Sequence, residues 1–486
     1  MYPMAPTYTE KVGELLEPNK PDIKLIQELI EKHDTTKMRE GVRYYENEND
    51  ILQRKRYAVI DGVKQVDENK PNNRIPHGWH KLLVDQKTAY LVGQPINFST
   101  QDDELLHYIN EYLGEKFNDI ANELVKNASN KGKEWLHPYI DENGEFDYTI
   151  TPAEQCIPIY VDKRQTKIEY MIRYYPIIMG KEEVTQVELW SKDDVTYYIL
   201  KDKTLAFDES EPVNPAPHFY YVSEQQETGY GWGKVPFIPF RNNEQEKSDL
   251  HYYKQLIDAF DRRVSDNQNS FEEIQELIYV LKGYEGQSLA EFMQNLKFYK
   301  AVNVDSDGGV DTLQAEMPME SIDSHLDRLR ESIYTFGQGV DVNTDKFGNS
   351  PSGIALKFLY SSLDLKCNTL ERKFRVGLQE LIWFLCEYLS MAGLGEYDYK
   401  SVGFTFKRSI MTNDYENAQI AQQSKGIISD ETIVANHPWV DNLEMEMERI
   451  KKEKKERGDL IDLDDETTED NNDDDDGLEG DNNEAQ

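Results

Sequence analysis

Apolar side chains follow two different periods along this chain, and the switch between them divides it. Over the first 130 residues they recur at helical spacing. Leu25, Ile26, Leu29 and Ile30 fall on one face of a helix in which Pro21 serves as a first-turn residue. Thr35–Glu48 and Ile75–Leu91 predict two more helices. The second has Leu82, Leu83, Ala89 and Tyr90 as core positions and stops at Gly93-Gln94-Pro95. Asp103–Ala128 is helical again. From Trp135 the period becomes two. His137–Ile150 alternates around Asn143-Gly144, a hairpin signal because these residues tolerate positive φ. Ile157–Val161, Ile168–Tyr175, Glu183–Trp190, Val195–Leu200 and Phe237–Phe240 are further strands, so 135–240 reads as a β-rich layer on the preceding helices.

Helical spacing returns at Lys247, with Leu250, Tyr253, Leu256, Ile257, Phe260 and Val264 on one stripe. A small α/β insert follows. It has strands over Glu276–Tyr284, Val302–Val304 and Val310–Leu313, and a helix opened by the Ser288/Glu291 capping box that runs to Tyr299. Ile322, Leu326, Leu329, Ile333 and Phe336 then give spacings of 4, 3, 4 and 3. Each of these two stripes is too narrow for a helix buried all round, and a ring of identical copies would cover it. Gly337–Asn349 is polar and rich in Gly, Asp and Asn. Ser350-Pro351 opens a long helix to about Leu389, carrying Phe374, Leu378, Leu381, Leu385 and Leu389, with a kink expected near Gly377. Val402–Phe406 is a late strand, and charged helices follow Asn413. The fold class is α+β, mainly helical.

Charge sharpens this picture. The 486 residues carry a formal net charge of −38, with 38% hydrophobic and 30% charged residues. The apolar content suffices for a packed core, while the overall field disfavours DNA or an anionic membrane as a tightly held partner. Residues 459–486 hold 14 acidic and no basic side chains and read as a disordered tail. Leu378–Leu394 is interrupted by Glu380 and Glu387 and is too short to span a bilayer. No basic, apolar leader precedes Lys11. Cys156, Cys367 and Cys386 form no CxxC pair and sit among apolar neighbours, so they read as core residues of a reducing compartment.

Catalytic motifs do not emerge. There is no GxxxxGK[ST], GxGxxG, GxSxG or HExxH. His77-Gly-Trp-His80 has the spacing of a metal pair without a third ligand. Asp305, Asp307, Asp311 and Glu316 occupy calcium-loop positions, but Gly309 and Val310 stand where that motif needs Asp or Asn and Gly. No cofactor is expected.

In order along the chain, Asn72-Asn73-Arg74-Ile75 through Val84-Asp85-Gln86-Lys87, Tyr90-Leu91-Val92-Gly93-Gln94-Pro95-Ile96, Thr151-Pro152-Ala153-Glu154 and Gly233-Lys234-Val235-Pro236-Phe237-Ile238-Pro239-Phe240 resemble the portal proteins of tailed double-stranded DNA phages. The likeness is to the type found in long-tailed phages (siphoviruses) of Gram-positive bacteria, over roughly residues 20–440. It implies the phage portal fold, assembled as a ring of about twelve copies around a central channel at one capsid vertex of the virion. The implied regions are a wing at 1–246, a stem helix at 247–268, a clip at 269–320, a second stem helix at 321–340 and a tunnel loop at 341–349. The long kinked helix and return strand at 350–410 rejoin the wing, crown helices fill 411–458, and the acidic tail ends the chain at 486.

The implied function is a conduit for DNA packaging, retention and ejection, not catalysis, with assembly in the host cytoplasm. Double-stranded DNA would be touched weakly and without reading sequence. Segment 247–340 has a net charge of −8, which suits passage without retention. Asp341, Asn343, Lys346 and Asn349 are the candidate loop residues, Lys346 touching phosphates transiently while Gly337, Gly339 and Gly348 let the loop move. Leu250, Leu256, Ile257, Phe260, Ile322, Leu326, Leu329 and Ile333 are the candidate stem-packing residues. Glu285, Lys300, Asp305, Asp307 and Asp311 are the candidate clip surface for the terminase and, later, the head-to-tail adaptor. The wing would meet coat and scaffolding proteins; no membrane is involved. Two other readings compete: a minor head or coat protein, separated by subunit number, and a metal-dependent hydrolase on the His77 or Asp305 cluster, separated by metal content.

Overall fold

The computed structural model describes residues 22–465 except 61, 69, 162–163, 223–226, 275–277, 283–287, 289–293, 295–297, 299–308, 314–317, 342–352, 410–413, 436, 438 and 441–442. Helix α1 (Ile23–Lys32) starts where the Asp22 carboxylate accepts the Lys24 amide hydrogen. Helix α2 (Thr36–Tyr45) follows. Strands β1 (Tyr57–Ile60) and β2 (Val63–Val66) form an exposed antiparallel hairpin that periodicity does not reveal. Helix α3 (Trp79–Val92) is shorter at its start than the pattern predicts, because residues 71–78 run alongside another helix instead of coiling. Strand β3 (Asn97–Ser99) precedes α4 (Asp103–Tyr112) and α5 (Gly114–Lys131). The single helix expected over 103–128 is thus two, parted where Gly114 takes a φ of 43°.

Three antiparallel sheets make the described β-rich part. Strands β4 (Lys133–Ile140) and β5 (Phe146–Thr151) flank the Asn143-Gly144 turn, in which Gly144 has φ 83° and the Asp141 carboxylate accepts from the Asn143 and Glu145 amides. Strands β6 (Cys156–Tyr160), β7 (Ile168–Met179), β8 (Glu182–Trp190), β9 (Asp194–Lys201) and β10 (Thr204–Phe207) pair in the order β10-β9-β8-β7-β6, with β11 (Ala216–Pro217) on β9. Leu25, Ile26 and Leu29 of α1 bury against Ile172, Val187 and Leu189 of this sheet, as an amphipathic helix on a half-buried sheet should. Strands β12 (Phe219–Val222) and β13 (Glu227–Tyr230) form a hairpin, and β14 (Ile238–Arg241) joins β4 in the order β14-β4-β5.

Helix α6 (Leu250–Ile274) packs on α7 (Met319–Gly337), and between them in sequence β15 (Ile278–Lys282) pairs antiparallel with β16 (Gly309–Leu313). Helix α8 (Gly353–Met391) follows. Its helical hydrogen bonding continues through Gly377. Glycine stands there because a Cβ would lie 2.8 Å from a ring carbon of Phe240. Phe374, Leu378, Leu381, Leu385 and Leu389 are all buried, as their stripe predicts. Strand β17 (Gly403–Thr405) pairs with β3. Cys156, Cys367 and Cys386 are free thiols and buried.

The chain divides into two compact units, residues 1–345 with 359–409 and residues 346–358 with 410–486. Within the second, α9 (Asp414–Ser424), α10 (Asp430–Ala435) and α11 (Leu443–Asp465) are described, with Lys454 and Asp430 paired at 3.6 Å. No described helix is long and apolar enough to cross a membrane.

Two buried histidines give the first unit a pH signature. His137 Nδ1 lies 2.6 Å from the Pro236 carbonyl and His80 Nδ1 2.8 Å from the Tyr253 hydroxyl. Burial lowers each ring from 6.5 to about 4. The unfolded chain therefore binds protons that the folded chain refuses between those values, so this stability is full above pH 6.5 and is lost as the pH falls toward 4. The expected outcome is a urea midpoint that drops steadily across that window, by on the order of 3 kcal/mol of stability for each histidine. A flat profile would contradict the burial of both rings.

Candidate functional site

The two helices that the pattern singled out as α6 and α7 are where the expected channel elements lie. Their apolar stripes are not left for neighbouring copies, contrary to the expectation from their width. Leu250, Tyr253 and Ile257 of α6 and Ile333 of α7 form one buried cluster with Tyr44 of α2 and Leu83 of α3. Leu256 and Phe260 pack on it partly buried, and Ile322 is buried as well. Leu326 and Leu329 are half-buried; Phe336, the last of the stripe, is exposed. Trp79 closes the cluster edge-on to Phe260 and Tyr334, with ring centroids 5.3 and 5.6 Å away. A narrow stripe needs only a narrow cover, and α2 and α3 supply it.

A second face of α6 is polar and nevertheless buried. Asp261, Ser265 and Asn269, four residues apart, accept the main-chain amides of His77, Ile75 and Asn73 at 3.0, 3.0 and 2.7 Å. Four residues of helix advance about 6 Å and two residues of extended chain about 6.6 Å, so the two repeats stay in step. Asp261, wholly buried, also accepts from Asn49 Nδ2 at 2.6 Å and meets His77 Nδ1 at 2.8 Å. Arg54 and Arg56 extend the ladder to Asp266 and Glu273, at 2.6 and 2.5 Å. His77 and His80 take different Nδ1 partners, Asp261 and Tyr253. Among the described residues no three His, Cys, Asp or Glu side chains gather as a metal site. Asp305, Asp307 and Glu316 lie outside them.

A buried ionic junction sits where α6 begins and α7 ends. Lys87 of α3, wholly buried, reaches Asn242 Oδ1 at 2.5 Å and Asp249 Oδ2 at 3.1 Å. Lys366 of α8 reaches the same Oδ2 at 2.9 Å and donates to the Gly337 carbonyl at 2.9 Å. Burial alone would raise the Asp249 carboxyl, but the two ammonium groups and the Asn242 amide outweigh it and hold that carboxyl well below the usual range. Beyond Gly337 the chain is held again, Val340 by Gln86 and Asp341 by Arg330 Nη2 at 2.6 Å. Gly337 and Gly339 are therefore not loose joints: a Cβ on either would lie within 2.5 Å of a Leu83 methyl. Of the other loop candidates, Asn343, Lys346, Asn349 and Gly348 lie outside the described residues. Asp311 lies in β16, opposite Val280, while Glu285, Lys300, Asp305 and Asp307 are outside them too.

Residues 26–459 match the family model described as phage portal protein, SPP1 Gp6-like. The portal protein of Bacillus phage SPP1 is 43% identical over 478 residues, covering 95% of this chain and 94% of that protein. The chain belongs to the SPP1 Gp6-like family of phage portal proteins. The portal protein of Clostridium phage phiCD119 is 35% identical over 432 residues, covering 85% of this chain and 91% of that protein. Two solved particles of a gene transfer agent resemble the chain more distantly. One is its neck, at 11% identity and a TM-score of 0.38 over 74% of this chain and 89% of that one. The other is its virion, at 9% and 0.40 over 72% and 86%.

As a portal protein the chain is a structural component of the virion and not an enzyme, and packaging and ejection of DNA belong to that role. The segments that carried the resemblance turn out to be fastenings. Asn73 and Ile75 sit on the α6 ladder, Gln86 and Lys87 at the junction. The Glu134 carboxylate accepts from the Ala153 amide at 2.5 Å, and Lys131 joins Glu134 to Glu154 at 2.9 and 2.8 Å. Val235 and Phe237 pack with Trp135 in the core.

The ladder is directly testable. Ser265→Ala leaves the Ile75 amide without its acceptor and is expected to cost about 1–3 kcal/mol in urea unfolding of the full chain, whereas Ser324→Ala on the exposed face of α7 changes little. Equal stability of the two variants would show that the ladder holds nothing.

Proposed function

We propose that copies of this portal protein close into a ring of about twelve around a channel for double-stranded DNA. The observation that carries this reading is the two-faced character of α7. Ile322, Leu329 and Ile333 turn toward the chain's own interior. Glu320, Asp323, Asp327 and Glu331, at spacings that bring them onto one side of a helix, are exposed on the opposite side. Because the inner face is fastened within the chain, the direction of the acidic face is fixed before any partner arrives.

In a ring, that face suits the channel wall. Each Lys or Arg on a phosphate would add salt-sensitive affinity, whereas an acidic wall lets sequence-blind passage occur without retention. In this reading α6 and α7 are the stem, β15 and β16 belong to the clip that meets terminase and then the head-to-tail adaptor, and the wing meets coat and scaffolding proteins. Residues 411–458, in the second compact unit, supply the crown. Residues 341–349 form the tunnel loop, in which Lys346 makes the transient phosphate contact, and assembly takes place in the host cytoplasm.

The test is the mass of the purified assembly, expected at about twelve subunits, together with its hold on DNA. The double variant Asp323→Lys, Asp327→Lys should assemble normally yet retain duplex DNA with an affinity that falls steeply with salt, by a slope of about −0.9 for each phosphate engaged. A chain that stays monomeric under all conditions defeats the ring. A variant that releases DNA as freely as the original defeats the placement of α7 on the wall.

A further inference from the structure

The exit of α7 is gripped from three sides. The Gln86 side chain pairs with both main-chain groups of one residue: its Oε1 accepts from Val340 N–H at 3.0 Å and its Nε2 donates to the Val340 carbonyl at 2.8 Å. Val340 itself is buried. Lys366 holds the Gly337 carbonyl, and Arg330 holds Asp341. Between these points Gln338 takes a left-handed φ of 54°, which turns the chain back toward α3. Gly337 and Gly339 let the main chain come so close to α3 that any side chain there would strike Leu83. The next residue of α3, Lys87, binds Asp249 just ahead of α6. Neighbouring residues of one helix therefore fasten the end of α7 and the beginning of α6.

We propose that Gln86 is a positioning residue of the portal: by pairing with Val340 it mounts Gly337–Asp341 on α3, so that α3 and the acidic helix α7 move as one body. A side-chain amide is the group that matches a peptide's donor and acceptor together, and among the unbranched side chains of this reach only Gln and Glu offer an oxygen acceptor. Gln alone offers the donor as well. This deepens the channel reading and rests on it for its functional meaning, since the mounted helix is the one that reading places on the wall.

The experiment is hydrogen exchange on full-length chain, comparing Gln86→Met, Gln86→Glu and the original. Met keeps the length and apolar stem of Gln and removes both bonds; Glu keeps the acceptor for the Val340 amide and loses the donor to its carbonyl. The expected result is Val340 amide exchange about tenfold faster in Gln86→Met, an intermediate rate in Gln86→Glu, and unchanged exchange along α6. A role in packing alone predicts no change in Gln86→Met, and that result would overturn the proposal, as would acceleration spread evenly over α6 and α8. Subunit mass is measured on the same samples. If the original chain forms rings but Gln86→Met exchanges like the original, the mount fails and the channel stands. If exchange behaves as expected but no rings form, the mount stands and the channel fails.

Discussion

One constraint underlies the architecture of the first unit: acceptors on a buried polar face of a helix must be met by donors from elsewhere. Asp261, Ser265 and Asn269 are sealed from water, and an unpaired polar atom there would cost as much as several methyl contacts return. A helix cannot satisfy such a face itself, since its own amides are already engaged. An extended chain can, because its alternate amides advance at nearly the repeat of every fourth helical residue. Segment 73–77 meets that condition over three successive steps, and register is therefore not adjustable. A slip of one residue would turn every amide away, whereas apolar packing tolerates such slips more readily.

That fixed register has consequences at a distance. With one face of α6 held by the ladder and another by Tyr44, Leu83 and Ile333, the helix has neither rotational nor axial freedom. Helix α7, packed on it, inherits the same fixity, and the junction of Lys87, Asp249 and Lys366 closes the arrangement at one end. Breaking one partner of a buried ionic group leaves a charge stranded in a medium that solvates it poorly, which is why such groups serve orientation better than they serve net stability. The acidic outer face of α7 is thus aimed by interactions on the far side of the helix.

Helices α6, α7 and α8 were legible because their stripes are long and strictly periodic, and the strands of the larger sheet because their alternation is sustained. What covers a stripe was not legible. Leu250 and Ile257 read as faces awaiting another copy, since periodicity reports that a face is apolar and says nothing of a partner more than 150 residues away in sequence, such as Leu83. The ladder was hidden for a related reason. Asp261, Ser265 and Asn269 have the spacing of a solvated face, and only the amides of 73–77 make them an interior one. Gly337 and Gly339 supply closeness, which the sequence alone does not separate from freedom to move, because the missing side chain permits both. The β1–β2 hairpin leaves no periodic signal, because Tyr57, Val59, Val63 and Val66 are all exposed and mark no core-facing alternation.

The same logic separates two kinds of position within one helix. Apolar stripes accept many sequences of suitable volume. A side chain that must offer one acceptor to a given amide, or one ammonium group to a buried carboxylate, has few substitutes. Gln86 and Lys87 illustrate the difference on a single turn of α3: Leu83 beside them does a task that several apolar residues of its size would do, while each of the polar pair answers a specific donor or acceptor set by another element. Polar pairs of this kind fasten the elements to one another, and the proposed wall of the channel is oriented from within.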